Sequence, residues 1–194
     1  MQASSRLRES CSVPNLVDVH YAQTGKSTST NALGMREMQA KAFAQRESQY
    51  LLLKAPPASG KSRALMFIAL DKLFNQGVRK VIVAVPERSI ASSFASAKLT
   101  DHGFFADWAI EEKNNLCTPG GDASKVNAFK SFLEGPDSIL LCTHSTLRFA
   151  WDAIGEEQLN GTLVAIDEFH HVSADVGSRL GEFVRTVMAN TDAH

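Results

Sequence analysis

Short runs of apolar residues recur along the chain from residue 50 onward, and they predict buried β-strands. Each run is four or five residues long and shows little of the alternation between apolar and polar positions that marks a half-exposed strand. Uninterrupted apolar runs of this length are typical of parallel strands that are covered on both faces. The predicted strands are Tyr50 to Leu53, Val81 to Val85, Ile139 to Cys142 and Leu163 to Ile166.

Helix-forming stretches separate these runs, so that strand and helix alternate. This alternation implies right-handed βαβ crossovers and an α/β fold, in which helices cover both faces of a parallel sheet in three αβα layers. The residues before Met35 are weakly patterned, so we expect a partly irregular extension over residues 1–34 and one domain over residues 35–194. The predicted helices are Met35 to Arg46, Lys61 to Asn75, Ser89 to Leu99, Ser124 to Leu133, Thr146 to Ile154 and Val176 to Ala189.

The composition is that of an ordinary globular protein, with 194 residues of which 44% are hydrophobic and 21% charged. The chain has 20 Lys+Arg and 21 Asp+Glu, but the first 97 residues carry 13 basic and 6 acidic side chains and the remainder carry 7 and 15. Such a split is compatible with an anion site in the first half and a metal-binding or acidic portion in the second. It is equally compatible with two halves whose charges cancel in the fold.

Neither a membrane nor an oxidising compartment is indicated. The longest apolar runs, Ala64 to Leu70 and Val81 to Val85, are far shorter than the roughly 18 residues of a membrane span. The three cysteines are an odd number without a close pair, which fits neither a disulfide framework nor a zinc site. We therefore expect reduced thiols, a cytoplasmic protein and no membrane partner.

The strongest local signal is a phosphate-binding loop with the sequence APPASGKS, at Ala55 to Ser62. It matches the Walker A pattern, except that Ala55 stands where the strict pattern has glycine. Because the loop runs from a predicted strand into a predicted helix, its backbone N–H groups and the positive end of the helix dipole converge on one point. The alternative is a turn that contains Gly-Lys-Ser by chance. The residues expected to hold the nucleotide here are Ala58, Ser59, Gly60, Lys61, Ser62 and Arg63.

Three residues of this loop have distinct expected roles. Gly60 lets the backbone approach a phosphate closely, Lys61 reaches the β- and γ-phosphates of ATP, and the Ser62 hydroxyl ligates Mg²⁺. A second Gly-Lys-Ser lies within Thr24 to Thr28, but the residues after it are a poor opening for a helix. We expect no nucleotide at that second position.

A pair of carboxylates follows the last predicted strand. Asp167 and Glu168 come directly after Leu163 to Ile166. A phosphate-binding loop needs a second element that holds Mg²⁺ and positions the attacking water, and an acidic residue at the end of another buried strand supplies it. Asp167 is expected to hold the metal and Glu168 to orient and deprotonate the water. The alternative reading is a solvated turn.

The sequence DEFH, from Asp167 to His170, resembles the D-E-x-H form of the DEAD/DEAH box. With the Walker A loop, it makes the chain similar to superfamily 2 helicases and translocases. The resemblance covers residues 35–194 and implies the first RecA-like domain, a parallel-sheet P-loop NTPase. In that family the box histidine links ATP hydrolysis to movement between domains, and this role carries over to His170.

Three further motifs of the family can be placed on this chain. The sequence MREMQ, ending at Gln39, resembles the R-x-x-Q element whose glutamine recognises adenine. The sequence PERSI resembles motif Ia, with Glu in place of the family's Thr, and implies that Pro86 and Arg88 lie on the nucleic-acid backbone. The sequence THSTL resembles motif Ib and implies the same for Thr143 and His144. Contacts of this kind position a strand without reading its sequence.

The resemblance also implies a missing part. In the family a further strand, ending in motif III, lies between the Walker A and DExH strands, and this chain ends at His194 where that strand is expected to start. We therefore expect an N-terminal fragment, truncated before the motif III strand and completed by a second RecA-like domain or another chain. A catalytic arginine from that domain contributes orders of magnitude in rate. Alone, the chain is expected to bind ATP weakly and to hydrolyse it negligibly.

The function predicted from these residues is that of an ATP-dependent nucleic-acid motor that uses ATP and Mg²⁺. DNA is favoured over RNA, because the R-x-x-Q element and the DExH form are closer to restriction-type and DNA-repair motors than to RNA-type DEAD proteins. One alternative is a P-loop ATPase that remodels protein or moves along a duplex without unwinding it. Another is a truncated module that binds nucleotide or nucleic acid without turnover.

Overall fold

Within residues 15–18, 30–169 and 179–194, which the computed structural model describes, five strands form two sheets with only parallel pairing. The first sheet pairs two strands, and the second has the order β4, β3, β5. The strands are β1 at Asn15–Asp18, β2 at Leu51–Lys54, β3 at Lys80–Val85, β4 at Ile139–Thr143 and β5 at Thr162–Ile166. Parallel-only pairing confirms the α/β prediction.

Helices follow the strands along the chain, as the alternation of patterns predicts. The helix that follows β2 begins at Lys61 and ends at Asn75, as predicted. Apart from the segment that follows β3, the other helix boundaries lie within three residues of the predicted ones wherever the structure describes them. The helices are α1 at Glu37–Ala44, α2 at Lys61–Asn75, α3 at Asp122–Glu134, α4 at His144–Trp151 and α5 at Arg179–Asn190.

The central strand β3 shows how the three layers form. Its side chains alternate between the two faces of the sheet. Val81, Val83 and Val85 belong to a core cluster with Phe67 and Leu70 of α2. The intervening residues of β3, Ile82 and Ala84, belong to a second cluster with side chains of α3, α4 and α5, namely Phe129, Leu147 and Phe183. Both faces of the sheet are therefore buried under helices.

Strand β1 lies in the segment for which the sequence predicts only a partly irregular extension. It pairs with β2 in parallel, with Leu16 opposite Leu52 and Val17 opposite Leu53. The segment has only two apolar residues between Asn15 and Asp18, which is too short a signal to distinguish a strand from a loop. Position beside β2, rather than local pattern, makes it a strand.

The two sheets meet near the end of the described chain. His194 accepts a backbone hydrogen bond from Val164 and donates one to Thr162, both at 2.9 Å, and so pairs with the edge of β5 that β3 does not use. The Gln49 side chain, just before β2, donates to the carbonyl oxygen of Ala193 at 3.1 Å. The family resemblance implies a further strand between β2 and β5. Ala193 and His194 lie at this position, where they hydrogen-bond to Gln49 on one side and to β5 on the other.

One predicted helix differs in the structure. The segment predicted as Ser89 to Leu99 forms a 3₁₀ helix at Arg88–Phe94, after which Ala97 pairs with Trp108 in an antiparallel bridge. The indole N–H of Trp108 donates to the carbonyl oxygen of Phe94 at 3.0 Å, in the core. Four serines between residues 89 and 96 lower the helix propensity of this segment, because serine side chains compete for backbone hydrogen bonds.

Two other sequence expectations concern the thiols and the membrane. Cys117 and Cys142 are buried and are not in disulfides. Cys11 lies outside the described residues. Among the described helices, none combines the length and the apolar character that crossing a bilayer requires.

Candidate active site

The carboxyl ends of β2, β3, β4 and β5 carry the polar residues that the sequence analysis singles out. In the three-stranded sheet the register places Val85 opposite Thr143 and Ala84 opposite Ile166. The segments that follow these strands therefore begin at the same edge of the sheet. The edge of an open parallel sheet that lies beyond the strand ends is where such folds bind their ligands.

The phosphate loop bends through two left-handed residues before α2 begins. Gly60 is the N-cap of α2 with φ of 87°, and its carbonyl oxygen accepts the N–H of Ala64 at 3.1 Å. Ala58 has φ of 58°, a conformation that a residue with a Cβ adopts rarely. The hydroxyl of Ser59 is buried and has no hydrogen-bond partner in the described part of the chain. A strained residue and an unpartnered buried hydroxyl in one loop are typical of a ligand-binding site.

Lys61 connects the loop to the acidic pair. Its Nζ donates to the carbonyl oxygen of Ala55 at 3.3 Å and lies 3.8 Å from Oε1 of Glu168. Ser62 and Arg63 follow in the first turn of α2, where both are half-buried. The Lys61 ammonium therefore contacts a carboxylate that lies 107 positions later in the sequence.

The acidic pair continues directly from β5. The backbone N–H of Asp167 donates to the carbonyl oxygen of Ala84 at 2.9 Å, which extends the pairing with β3 by one residue. Burial raises the pKa of the Asp167 carboxyl, and the nearby Glu168 carboxylate acts in the same direction. The N–H of Glu168, which donates to that carboxyl, and the charges of Lys61 and His144 oppose the rise in pKa.

Glu168 is the second non-glycine residue with positive φ. Its φ is 52°, and among the described residues only Ala58 shares this property. One of the two lies in the phosphate loop and the other in the acidic turn. Because left-handed backbone costs about 1–2 kcal/mol for a residue with a Cβ, both turns hold conformations that local preference opposes.

Gln39 lies on α1, against the phosphate loop. Its side chain is buried, its Oε1 accepts the backbone N–H of Arg36 at 2.8 Å, and its Nε2 donates to the carbonyl oxygen of Gly60 at 3.2 Å. The first bond caps the start of α1, and the second joins α1 to the loop. The structure therefore brings Gln39 to the phosphate loop, 21 residues later in the sequence.

The residues assigned to nucleic acid lie after β3 and β4. Pro86 is half-buried and Arg88 is exposed, at the start of the 3₁₀ helix. Arg88 lines a cavity of about 400 Å³ together with Ser92, Ser96 and Thr118.

The last residue of β4, Thr143, and the residue after it, His144, make internal contacts. The buried Thr143 hydroxyl accepts the N–H of Thr146 at 3.2 Å and caps α4. The Nε2 of His144 lies 3.0 Å from the carbonyl oxygen of Asp167. This last contact could not be predicted from the sequence, because nothing in a local pattern relates positions 144 and 167. His170 and His171, and the second Gly-Lys-Ser at Gly25 to Ser27, lie outside the described residues.

Comparison with known proteins relates the chain to one family. The model of the DEAD/DEAH box helicase family matches residues 36–193. The chain is also 63% identical over 180 residues to a protein of Bacillus subtilis (strain 168) whose provisional name is ATP-dependent helicase YeeB. That alignment covers 93% of this chain and 30% of YeeB, so the chain spans less than a third of the length of this relative. No solved structure matches the chain significantly.

Proposed function

The chain belongs to the DEAD/DEAH box helicase family, and we propose that it forms the ATP-binding part of an ATP-dependent nucleic-acid helicase or translocase. The observation that carries this proposal is the meeting of Lys61 with Glu168, 3.8 Å apart, at the edge where the parallel strands end. A cation at a helix N-terminus and a carboxylate on a separate strand end are two of the groups that phosphoryl transfer to water uses.

ATP is held, in this proposal, between α1 and the start of α2. The backbone N–H groups after Ala58 and the dipole of α2 attract the phosphates, and the buried hydroxyl of Ser59 supplies a further donor. An amide has two N–H groups and two acceptor lone pairs, so Gln39 can meet adenine in addition to its bonds to Arg36 and Gly60. Arg63, in the first turn of α2, is proposed to contribute to the same nucleotide site.

The residues present fit a magnesium ion. Ser62 and Asp167 offer hydroxyl and carboxylate oxygens, the ligands that Mg²⁺ takes in proteins. A cation near Asp167 offsets the desolvation that raises the pKa of its carboxyl. The described residues contain no group of three or more His, Cys, Asp or Glu that could hold a metal, and a metal held largely by phosphates and water needs none. When bound, Mg²⁺ neutralises charge on the β- and γ-phosphates.

Hydrolysis then depends on Glu168 and Lys61. The ammonium of Lys61 lies beside the carboxylate of Glu168 and compensates part of its charge. A γ-phosphate competes for that ammonium, which leaves Glu168 to accept a proton from the attacking water. His170 is proposed, on the family resemblance alone, to link this step to movement between domains.

Nucleic acid is proposed to lie across the ends of β3 and β4, near Pro86, Arg88, Thr143 and His144. The exposed guanidinium of Arg88 is the group in this set best suited to a phosphate. DNA in preference to RNA is proposed from the R-x-x-Q element and the DExH form. A second RecA-like domain, or another chain, is proposed to complete the site, and a cytoplasmic location is proposed because ATP and nucleic acid meet there.

Binding of a fluorescent ATP analogue by this chain, with hydrolysis measured on the full-length protein that includes the second RecA-like domain, tests the proposal. Lys61→Ala is expected to abolish binding, whereas Glu168→Gln is expected to retain binding and to lose hydrolysis. Lys41→Ala is the matched control, because Lys41 is exposed and pairs only with Glu37 on its own helix. Absence of nucleotide binding by the unaltered chain would refute the proposal.

Stimulation by nucleic acid, measured on the full-length protein that includes the second RecA-like domain, separates the related functions. Hydrolysis that rises with single-stranded DNA more than with RNA, together with strand displacement, supports a DNA helicase. Duplex-stimulated hydrolysis without strand displacement identifies a translocase that does not unwind. Binding of nucleotide with no hydrolysis under any of these conditions identifies a binding module.

A further inference from the structure

His144 contacts the acidic turn directly. It is the first residue of α4, and its ring Nε2 lies 3.0 Å from the backbone carbonyl oxygen of Asp167. A carbonyl oxygen can only accept a hydrogen bond, so Nε2 carries the proton and donates. The contact joins residues 23 positions apart, and it connects α4 to the end of β5.

The carbonyl that accepts this bond belongs to the peptide group between Asp167 and Glu168. The N–H of the same peptide group acts on the adjoining Asp167 carboxyl and lowers its pKa. The bond from His144, at 3.0 Å, is the contact that restrains rotation of this peptide plane.

The rotation that follows this peptide is the φ of Glu168, which is 52°. A residue with a Cβ does not favour this angle, so contacts outside the residue must hold it. The direction in which the Glu168 side chain leaves the backbone depends on that angle. It is this direction that brings Oε1 of Glu168 to 3.8 Å from Nζ of Lys61.

We propose that His144 is a positioning residue, which donates to the Asp167 carbonyl and so holds the Asp167–Glu168 peptide in the orientation that presents Glu168 to Lys61. The catalytic meaning of this role rests on the proposed function, but the conformational role does not. In this positioning role His144 acts on the acidic turn of its own domain, which differs from contact with nucleic acid. Loss of the donor releases the peptide, while the phosphate loop and Gln39 keep their places.

Hydrogen exchange measured by NMR on this chain tests the conformational role. In His144→Leu the N–H of Glu168 is expected to exchange about 3- to 10-fold faster, the factor that corresponds to loss of one hydrogen bond. His144→Gln, which keeps a donor, is expected to restore most of the protection. The N–H of Val164, which donates to His194 from the same strand, is the internal reference and is expected to be unchanged.

Two outcomes of the exchange experiment would overturn the proposal. Unchanged exchange at Glu168 in His144→Leu would show that the contact does not hold the peptide. Equal acceleration at Glu168 and Val164 would show that His144 acts on the stability of the whole domain. His102→Leu, at an exposed histidine of the short turn Thr100–His102, controls for loss of a histidine as such.

Single-turnover hydrolysis by the full-length protein, with its second RecA-like domain, tests the catalytic consequence. His144→Leu is expected to lower the rate constant about 3- to 10-fold while the affinity for a fluorescent ATP analogue stays within about twofold, and His144→Gln is expected to recover the rate. An equal loss of rate and affinity, or no recovery, contradicts the positioning role. If the unaltered chain binds no nucleotide, the proposed function fails, and the exchange experiment still decides the role of His144.

Discussion

The side-chain amide of Gln39 joins the first turn of α1 to the last residue of the phosphate loop, through the N–H that it donates to the carbonyl oxygen of Gly60 at 3.2 Å. The amide oxygen of Gln39 is fixed at the same time by the N–H of Arg36. Because the side chain is 2% exposed, both bonds are shielded from water. A neighbouring helix therefore holds the loop in position through Gln39.

Replacing this amide by a carboxylate should weaken both the fold and the site. In Gln39→Glu one oxygen can still accept from Arg36, but the other faces the carbonyl oxygen of Gly60 with no proton to donate. We expect the free energy of unfolding to fall by about 1–3 kcal/mol, measured by urea denaturation at pH 7.5. We expect affinity for a fluorescent ATP analogue to fall about 10-fold.

The control for this substitution is Gln45→Glu, at an exposed glutamine that follows the same helix. It makes the same change of charge without a buried partner. We therefore expect its free energy of unfolding to lie within about 0.5 kcal/mol of that of the unaltered chain. Equal effects of the two substitutions would mean that charge alone, and not the bond to Gly60, matters.

Gly60→Ala should abolish nucleotide binding. A Cβ at this position would lie 2.5 Å from Nε2 of Gln39, and φ of 87° is unfavourable for alanine in any surroundings. The loop must therefore shift or expel Gln39. Isothermal titration calorimetry with ATP and MgCl₂ should give no measurable heat of binding.

Gly77→Ala is the matched control for Gly60→Ala. Gly77 also has positive φ, at 75°, but a Cβ there would meet no atom within 4 Å. We expect the free energy of unfolding to fall by about 1–2 kcal/mol, the cost of left-handed backbone for alanine. We expect the nucleotide affinity to equal that of the unaltered chain. Loss of ATP binding in both variants would assign the effect to stability rather than to the loop.

Lys80→Met should destabilise the fold without affecting the site. The ammonium of Lys80 donates to the carbonyl oxygens of Phe132, Gly135 and Asp137, at 3.0, 2.5 and 2.6 Å, and so closes the end of α3. Methionine preserves the packing of the chain but leaves these acceptors without the donor. We expect the free energy of unfolding to fall by about 1–3 kcal/mol in urea. Lys41→Met, which removes only an exposed pair with Glu37, should cost about 0.5 kcal/mol or less.

The two described cysteines should be unreactive in the native state. Burial raises the pKa of the Cys117 thiol to about 11, against weaker opposing effects of Lys125 and Arg88, and burial also raises the pKa of Cys142. A thiol of pKa 11 is about one-thousandth thiolate at pH 8, and thiolate is the form that reacts. In a Cys11→Ser background we expect no modification by DTNB at pH 8 in minutes, and modification of both thiols in urea. Rapid native labelling would contradict the burial of Cys117.

The sequence was sufficient for the elements whose signals are local. The helix from Lys61 to Asn75 has a glycine N-cap at one end and Gly77 just beyond the other, and its boundaries were predicted without error. The apolar runs of β3, β4 and β5 are long enough to be assigned as strands. Their parallel order then places the phosphate loop and the acidic pair at strand ends, which is as far as spacing alone can lead.

What sequence could not provide depends on contacts between distant positions. Strand β1 exists because β2 lies beside it, and its four residues carry no pattern of their own. The bond from His144 to the carbonyl of Asp167 involves a backbone atom, so the residue type at position 167 does not predict it. The left-handed angles of Ala58 and Glu168 are equally invisible, because neither alanine nor glutamate favours them.

The division of the strands into two sheets determines which backbone carries each half of the site. In the described residues, backbone ladders join β2 to β1 and β3 to β4 and β5. Asp167 extends the larger ladder through its bond to Ala84, whereas Lys61 begins the helix that follows the smaller one. The 3.8 Å contact between Lys61 and Glu168 therefore joins groups that belong to different sheets, and it depends directly on how the two sheets are placed against each other.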